Sequence, residues 1–160
     1  TTVFCPDVDA GRIDRLEEEL AHAAARSPAP ALALAGGGCF PDPRRAKILF
    51  AGVTGDLGRL DTLAARCRTA AGRAGAAVDG ARFRPHVTLA RSGGGVEVTR
   101  LLRVLDAYAS ASWVAGELAL IASHLHDRGS RYEVVARFPL APAEPGGRDT
   151  AGSASAPHLG

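Results

Sequence analysis

The 160 residues are 46% hydrophobic and 22% charged, with a net charge of +2, a balance that excludes a disordered chain and suits one folded domain or two small coupled lobes. No apolar run approaches the roughly 20 residues of a membrane helix and no leader pattern is visible, so neither a membrane span nor a secretory signal is expected. Cys5, Cys39 and Cys67 are odd in number and far apart, which excludes a disulfide framework or a paired-cysteine zinc site and predicts a reducing, cytoplasmic setting.

The chain contains no methionine and opens on Thr1-Thr2-Val3-Phe4, which reads as a strand entered midway. Asp9 is a candidate cap for a helix running to about Arg26, in which Ile13, Leu16 and Leu20 recur at helical spacing. Ser27-Pro28-Ala29-Pro30 ends it. Strands are predicted at Ala31–Ala35 and Ala46–Val53, joined by a loop holding Gly36-Gly37-Gly38 and Pro41-Asp42-Pro43. A second helix is predicted from Leu57 to Arg73, with Leu60, Leu63, Ala64, Cys67 and Ala71 facing inward and Gly75 past its end. Phe83–Arg91 reads as a strand, and Gly93-Gly94-Gly95 as a turn into a third helix carrying Leu101, Leu102, Leu105 and Tyr108. Trp113–Leu125 and Tyr132–Leu140 are the last predicted strands, around a turn at Asp127-Arg128-Gly129-Ser130. From Ala141 to Gly160 the Ala, Pro, Gly and Ser content predicts a disordered tail.

An internal repeat organises these elements. Thr1 corresponds to Thr88, Leu32-Ala33-Leu34 to Leu118-Ala119-Leu120, and Ala46–Ala51 to Arg131–Ala136, all in the same order and at nearly one offset. The expectation is an α+β fold of two pseudo-symmetric lobes, approximately 1–56 and 80–140, with a linking helix at 57–75. Each lobe is a mostly antiparallel sheet backed by helices, and a central cleft lies between them.

The stretch Arg84-Pro85-His86-Val87-Thr88-Leu89-Ala90-Arg91 carries the chemistry. Strand alternation puts Val87 and Leu89 on one face, expected to pack on helices, and Arg84, His86 and Thr88 on the other. His86 and Thr88 are then about 7 Å apart, at roughly 3.3 Å per residue. An imidazole gives or takes a proton near neutral pH, a hydroxyl donates to a phosphoryl oxygen, and Arg84 and Arg91 can hold an anion. The alternative is a polar strand face that merely meets solvent.

These residues resemble the 2H phosphoesterase superfamily, named for paired His-x-Thr motifs, and within it the bacterial RNA 2′,3′-cyclic phosphodiesterases, also called 2′-5′ RNA ligases. The second motif matches at His86-Val87-Thr88, and Arg131–Leu140 resembles the closing strand. Thr1 matches the threonine of the first motif, whose histidine would stand two positions before it; the resemblance covers 1–140 and implies a chain lacking its N-terminal strand and helix. It implies hydrolysis of an RNA-terminal 2′,3′-cyclic phosphate to a 2′-phosphomonoester without metal or other cofactor. Two histidines act as acid and base, and Thr1 and Thr88 hold phosphoryl oxygens. Arg91, and more weakly Arg84, bind the phosphate. Turnover by these 160 residues is expected to be impaired. The implied partners are RNA ends or oligonucleotides, with no membrane and a monomeric chain. The competing readings are a non-catalytic module that binds RNA ends or nucleotides, and a 2H enzyme acting on a small cyclic nucleotide.

Other patterns carry less. His124-Leu125-His126 could ligate a metal but has no cysteine or carboxylate set beside it, so a solvated strand end is preferred. His22 and His158 read as bystanders. Gly52-Val53-Thr54-Gly55-Asp56-Leu57-Gly58 lacks dinucleotide-loop spacing, and no lysine completes a P-loop. Arg44, Arg45 and Lys47 flank the first hairpin and suit either an RNA backbone or plain solvent. Phe40 and Trp113 read as core or cleft-wall residues.

Overall fold

Asp9 organises the start of the first helix by making a tight turn rather than capping the helix itself. Its Oδ1 accepts the Gly11 N–H at 3.2 Å and its carbonyl accepts that of Arg12 at 2.9 Å. This closes a 3₁₀ turn at Ala10–Arg12 that feeds α1, Ile13–Ala25. In a computed structural model, residues 8–78, 83–126 and 129–143 are described. Thr1, the opening strand, the Asp127-Arg128 part of the last turn, His158 and tail residues 144–160 lie outside them.

The second helix, α2, spans Leu57–Arg73 as predicted. Leu63, Ala64, Cys67, Ala70 and Ala71 are buried, while Leu60 is half-buried. Gly75, at φ 75°, ends it: Gly75 N–H donates to Gly72 and Ala76 N–H to Ala71. That is the paired-bond, left-handed stop for which glycine is preferred.

The strands form two sheets. β1 (Ala31–Phe40), β2 (Ala46–Gly55), β3 (His86–Val96) and β4 (Trp113–Val114) make an antiparallel sheet in the order β3-β2-β1-β4. β5 (Glu117–His126) and β6 (Gly129–Pro139) make an antiparallel pair. The chain changes sheets at Ala115-Gly116, where Ala115 N–H donates to Pro30 and the Gly116 carbonyl accepts from Leu140. The predicted single strand Trp113–Leu125 is therefore two strands in different sheets.

The order helix, strand, strand recurs, but the packing is crosswise. Helix α1 packs with β5 and β6, while α3 (Thr99–Asp106) packs on β1. The main core joins Leu16 and Leu20 of α1 to Leu63 and Cys67 of α2 and to Phe138 and Leu140. Each hairpin thus rests on the helix that precedes the other. The fold is α+β, built of antiparallel sheets and helices. Strand pairing crosses the expected division at 56 and 80, because β3 is bonded to β2 and not to β5 or β6.

Both glycine triplets correct the sequence expectation. Gly36-Gly37-Gly38 lies within β1 and Gly93-Gly94-Gly95 within β3, where a loop and a turn were predicted. A Cβ on Gly37 would stand 2.5 Å from Leu105 of α3, and one on Gly38 would stand 2.2 Å from the Phe50 ring. These glycines mark close approach on both sheet faces rather than chain reversal. Val87 and Leu89 are also corrected: α3 packs chiefly on β1, and they are left 38% and 49% exposed. At the other end the predicted tail begins too early, since Ala141 still donates to Ser27 and accepts from Ala29.

Candidate active site

β3 begins at His86, and its pairing with β2 decides what surrounds the imidazole. His86 lies opposite Gly52, Thr88 opposite Phe50, and Phe50 opposite Gly38 of β1. Directly opposed residues share a sheet face, so His86, Thr88, Phe50 and Phe40 form one surface. Their rings touch. Phe40 and Phe50 stack with centroids 4.8 Å apart, while His86 sits 5.1 Å from Phe50 and 5.9 Å, edge-on, from Phe40. Gly52 opposite the histidine and Gly38 opposite the ring leave room for these side chains. His86 and Thr88 are both half-buried.

A hydrogen bond also sets the orientation of the imidazole. Nδ1 of His86 lies 2.7 Å from the carbonyl oxygen of Arg84. A carbonyl only accepts, so Nδ1 carries the proton in the neutral ring and Nε2 is the nitrogen whose proton can change. Arg84 therefore contributes its backbone at this point, while its side chain is exposed.

Arg91 reaches the same face through a break in alternation. From Thr88 to Arg91 the strand takes three steps, while β2 takes two from Phe50 to Ile48, the residue opposite Arg91. Unbroken alternation would have put Arg91 on the face of Val87 and Leu89. One extra residue reverses that. His86, Thr88 and Arg91 consequently share a face along β3. The geometry brings together a proton-transfer group, a hydroxyl and a guanidinium, a set suited to a phosphoryl oxyanion.

The remaining sequence candidates fall elsewhere. His124 lies 3.6 Å from Glu133 across the β5–β6 pair, and both side chains are more than half exposed. Among the described residues no histidine, cysteine or carboxylate cluster could hold a metal ion. The Gly52–Gly58 stretch is the end of β2 and the start of α2. There Asp56 accepts the Ala31 N–H at 3.0 Å and pairs with Arg59 at 3.7 Å. Cys67 belongs to the core. No helix among the described residues is long and apolar enough to cross a membrane.

Phe50 was missed as a site residue, and Phe40 was placed only as core or wall. The available signal was Gly38, a residue without a side chain two strand pairings away from Thr88, but its use depends on knowing the register.

Comparison with known proteins adds the family context. Residues 1–127 match the 2′-5′ RNA ligase superfamily. The chain is 34% identical over 148 residues to a Geobacillus stearothermophilus protein named RNA 2′,3′-cyclic phosphodiesterase. That alignment covers 91% of this chain and 46% of the relative, so the chain spans about half the relative's length. Among solved structures, Thermus thermophilus TT0787 superposes with a TM-score of 0.64 at 22% identity, covering 86% of this chain and 75% of that one. Escherichia coli LigT complexed with 3′-AMP gives 0.65 at 23% identity, covering 86% and 73%. Both are likenesses of fold.

Proposed function

The chain belongs to the 2′-5′ RNA ligase superfamily, and from that membership we propose that it serves the hydrolysis of RNA-terminal 2′,3′-cyclic phosphates. The observation that carries this reading is the shared face of His86, Thr88 and Arg91, with the His86 Nδ1 proton engaged by the Arg84 carbonyl. Nε2 exchanges a proton with the reacting groups. The Thr88 hydroxyl donates to a non-bridging phosphoryl oxygen, and the Arg91 guanidinium offsets the charge that builds there. Arg84 adds a further positive charge at the strand's start.

In the reaction water attacks phosphorus, the bond from phosphorus to O3′ breaks, O3′ takes a proton, and a 2′-phosphomonoester remains. One group must remove a proton from water and another must supply one to O3′. His86 is one of these. The resemblance assigns the other to the family's first His-x-Thr motif, with Thr1 as the counterpart of Thr88. Neither step needs a metal ion, so excess EDTA is expected to leave the rate unchanged. A reducing cytoplasm and a monomeric state complete the reading.

The test is hydrolysis of an oligoribonucleotide ending in a 2′,3′-cyclic phosphate by the full-length protein. His86→Ala should lower kcat about 10²–10⁴-fold, the range for losing a general acid or base, while circular dichroism stays unchanged. Undiminished turnover would remove His86 from the mechanism. The competing reading is an RNA-end binding module without turnover. Tight binding of a 3′-phosphorylated end with no hydrolysis would select it.

A further inference from the structure

The sheet face that holds His86 continues to the tip of the β1–β2 hairpin, and that tip is basic. Across the three strands, His86 is paired with Gly52. Next comes the row Gly38, Phe50, Thr88, and then the row Phe40, Ile48, Arg91. Beyond Phe40 the chain turns through residues 41–45. Arg44 and Arg45 sit in that turn and Lys47 is the second residue of β2, all three exposed.

The turn is held in shape. Oδ1 of Asp42 accepts the N–H groups of Arg44 at 2.9 Å and Arg45 at 3.2 Å. The carbonyl of Pro43 accepts the N–H of Val98, just before α3, at 2.8 Å. The two arginines therefore project from a fixed backbone, which lowers the ordering cost of binding. Asp42, the carboxylate nearest in sequence, is turned onto backbone N–H groups. Among the described residues Arg44, Arg45, Lys47 and Arg91 form no ion pair.

From Gly52, opposite His86, back through β2 to Arg45 just before it is seven residues, about 23 Å at roughly 3.3 Å each. That path exceeds one nucleotide. Along it stand His86, then Phe50 beside Thr88, then Phe40 in the row of Arg91, and then Arg44 and Arg45. Interleaved rings and positive charges along a track are what a flexible, stacked polyanion requires. An acidic protein segment would use the charges and leave the rings without a role.

We propose that the β1–β2 hairpin tip binds the RNA strand that leads into the reacting end, through Arg44 and Arg45, so that oligonucleotides are preferred over mononucleotides. The inference rests on the phosphodiesterase reading and adds the length of substrate that the site engages. Its energetic content is electrostatic: each phosphate neutralised on a single strand steepens the salt dependence of binding by about 0.7 in log–log slope.

The experiment compares the full-length protein with Arg44→Gln/Arg45→Gln and with the charge reversal Arg44→Glu/Arg45→Glu. Two substrates are used, a ten-nucleotide RNA ending in a 2′,3′-cyclic phosphate and 2′,3′-cyclic AMP. The reversal should lower kcat/KM for the oligomer about tenfold, almost wholly through KM, and leave cyclic AMP hydrolysis within twofold. The neutral pair should fall between and flatten the salt slope for the oligomer by about 1.4, twice the single-contact value. Equal losses on both substrates would mean a structural effect and overturn the proposal, as would no loss on the oligomer. Should wild type hydrolyse neither substrate, the phosphodiesterase reading fails. Fluorescence anisotropy with the same ten-mer carrying a 3′-phosphate then decides the tip's role by itself. Displacement of that RNA by polyglutamate at equal charge concentration would point to an acidic protein partner and overturn the assignment.

Discussion

The β1–β2 and β5–β6 hairpins are built alike and used differently. Each is an antiparallel pair of strands of ten or eleven residues, and each contains a register shift. On β5–β6 the inward residues Leu118, Leu120, Ala136 and Phe138 meet α1 and α2 in the main core. On β1–β2 the strands hold glycines at the positions where Leu105 and Phe50 come closest, and one face carries rings that meet His86. The β5–β6 sheet stabilises by burial. The sheet of β1 and β2 is shaped by register and by the absence of side chains, which leaves a face open at the candidate site. The main core and the candidate site thus draw on different hairpins.

That separation can be broken at either end. The largest expected effect is the His86→Ala loss of about 10²–10⁴ in kcat, without a change in melting temperature; a fall in Tm of several degrees would show that His86 also holds the sheet together. On the other side, Phe138→Ala removes a side chain that is 8% exposed and should cost about 3–5 kcal/mol of stability. Urea unfolding measures it. The activity of the fraction that remains folded should be unchanged, and a specific loss would mean that the two sheets are coupled.

A smaller effect tests the contact between rings and imidazole. Gly38→Ala forces the Phe50 ring to move, and Phe50 is held between Phe40 and His86. Overpacking of this kind costs about 1–3 kcal/mol. The sharper readout is the His86 imidazole resonance, which should shift in the NMR spectrum because its neighbouring ring has moved. An unshifted resonance would mean the rings relax without reaching the histidine.

The smallest effect concerns α3, the helix under the site sheet. Glu97 accepts the Thr99 N–H at 2.9 Å, and its carboxyl titrates below the ordinary range, chiefly through side-chain and backbone bonding to Thr99. A depressed folded pKa contributes stability above the unfolded pKa, and that contribution is lost as pH falls through the folded one. Glu97→Gln should therefore lower Tm slightly at pH 7, and the gap to wild type should close in acid. A gap that stays constant with pH would assign the effect to the amide rather than to the charge.

The alternation of His86, Val87 and Thr88 was legible because strand periodicity is local. So were the limits of α2, since Gly75 and the apolar spacing state its end and its buried face. Arg91 was expected at an anion from its chemistry and from the resemblance, and its place on the face of His86 and Thr88 follows from one extra residue between Thr88 and Arg91. Phe50 had no local signal at all. Its role comes from lying between Gly38 and Thr88 in adjacent strands.

The sequence by itself determined the helices, the repeated helix-strand-strand order and the side chains available for proton transfer, all set by neighbours a few residues apart. Tertiary structure alone decided that β3 joins β2, that each hairpin rests on the other's helix, and that both glycine triplets are strand rather than turn. Those outcomes depend on which surfaces meet. A missing Cβ opens a turn or admits a neighbouring side chain equally well, and at Gly37 and Gly38 only the neighbour, Leu105 or Phe50, settles which.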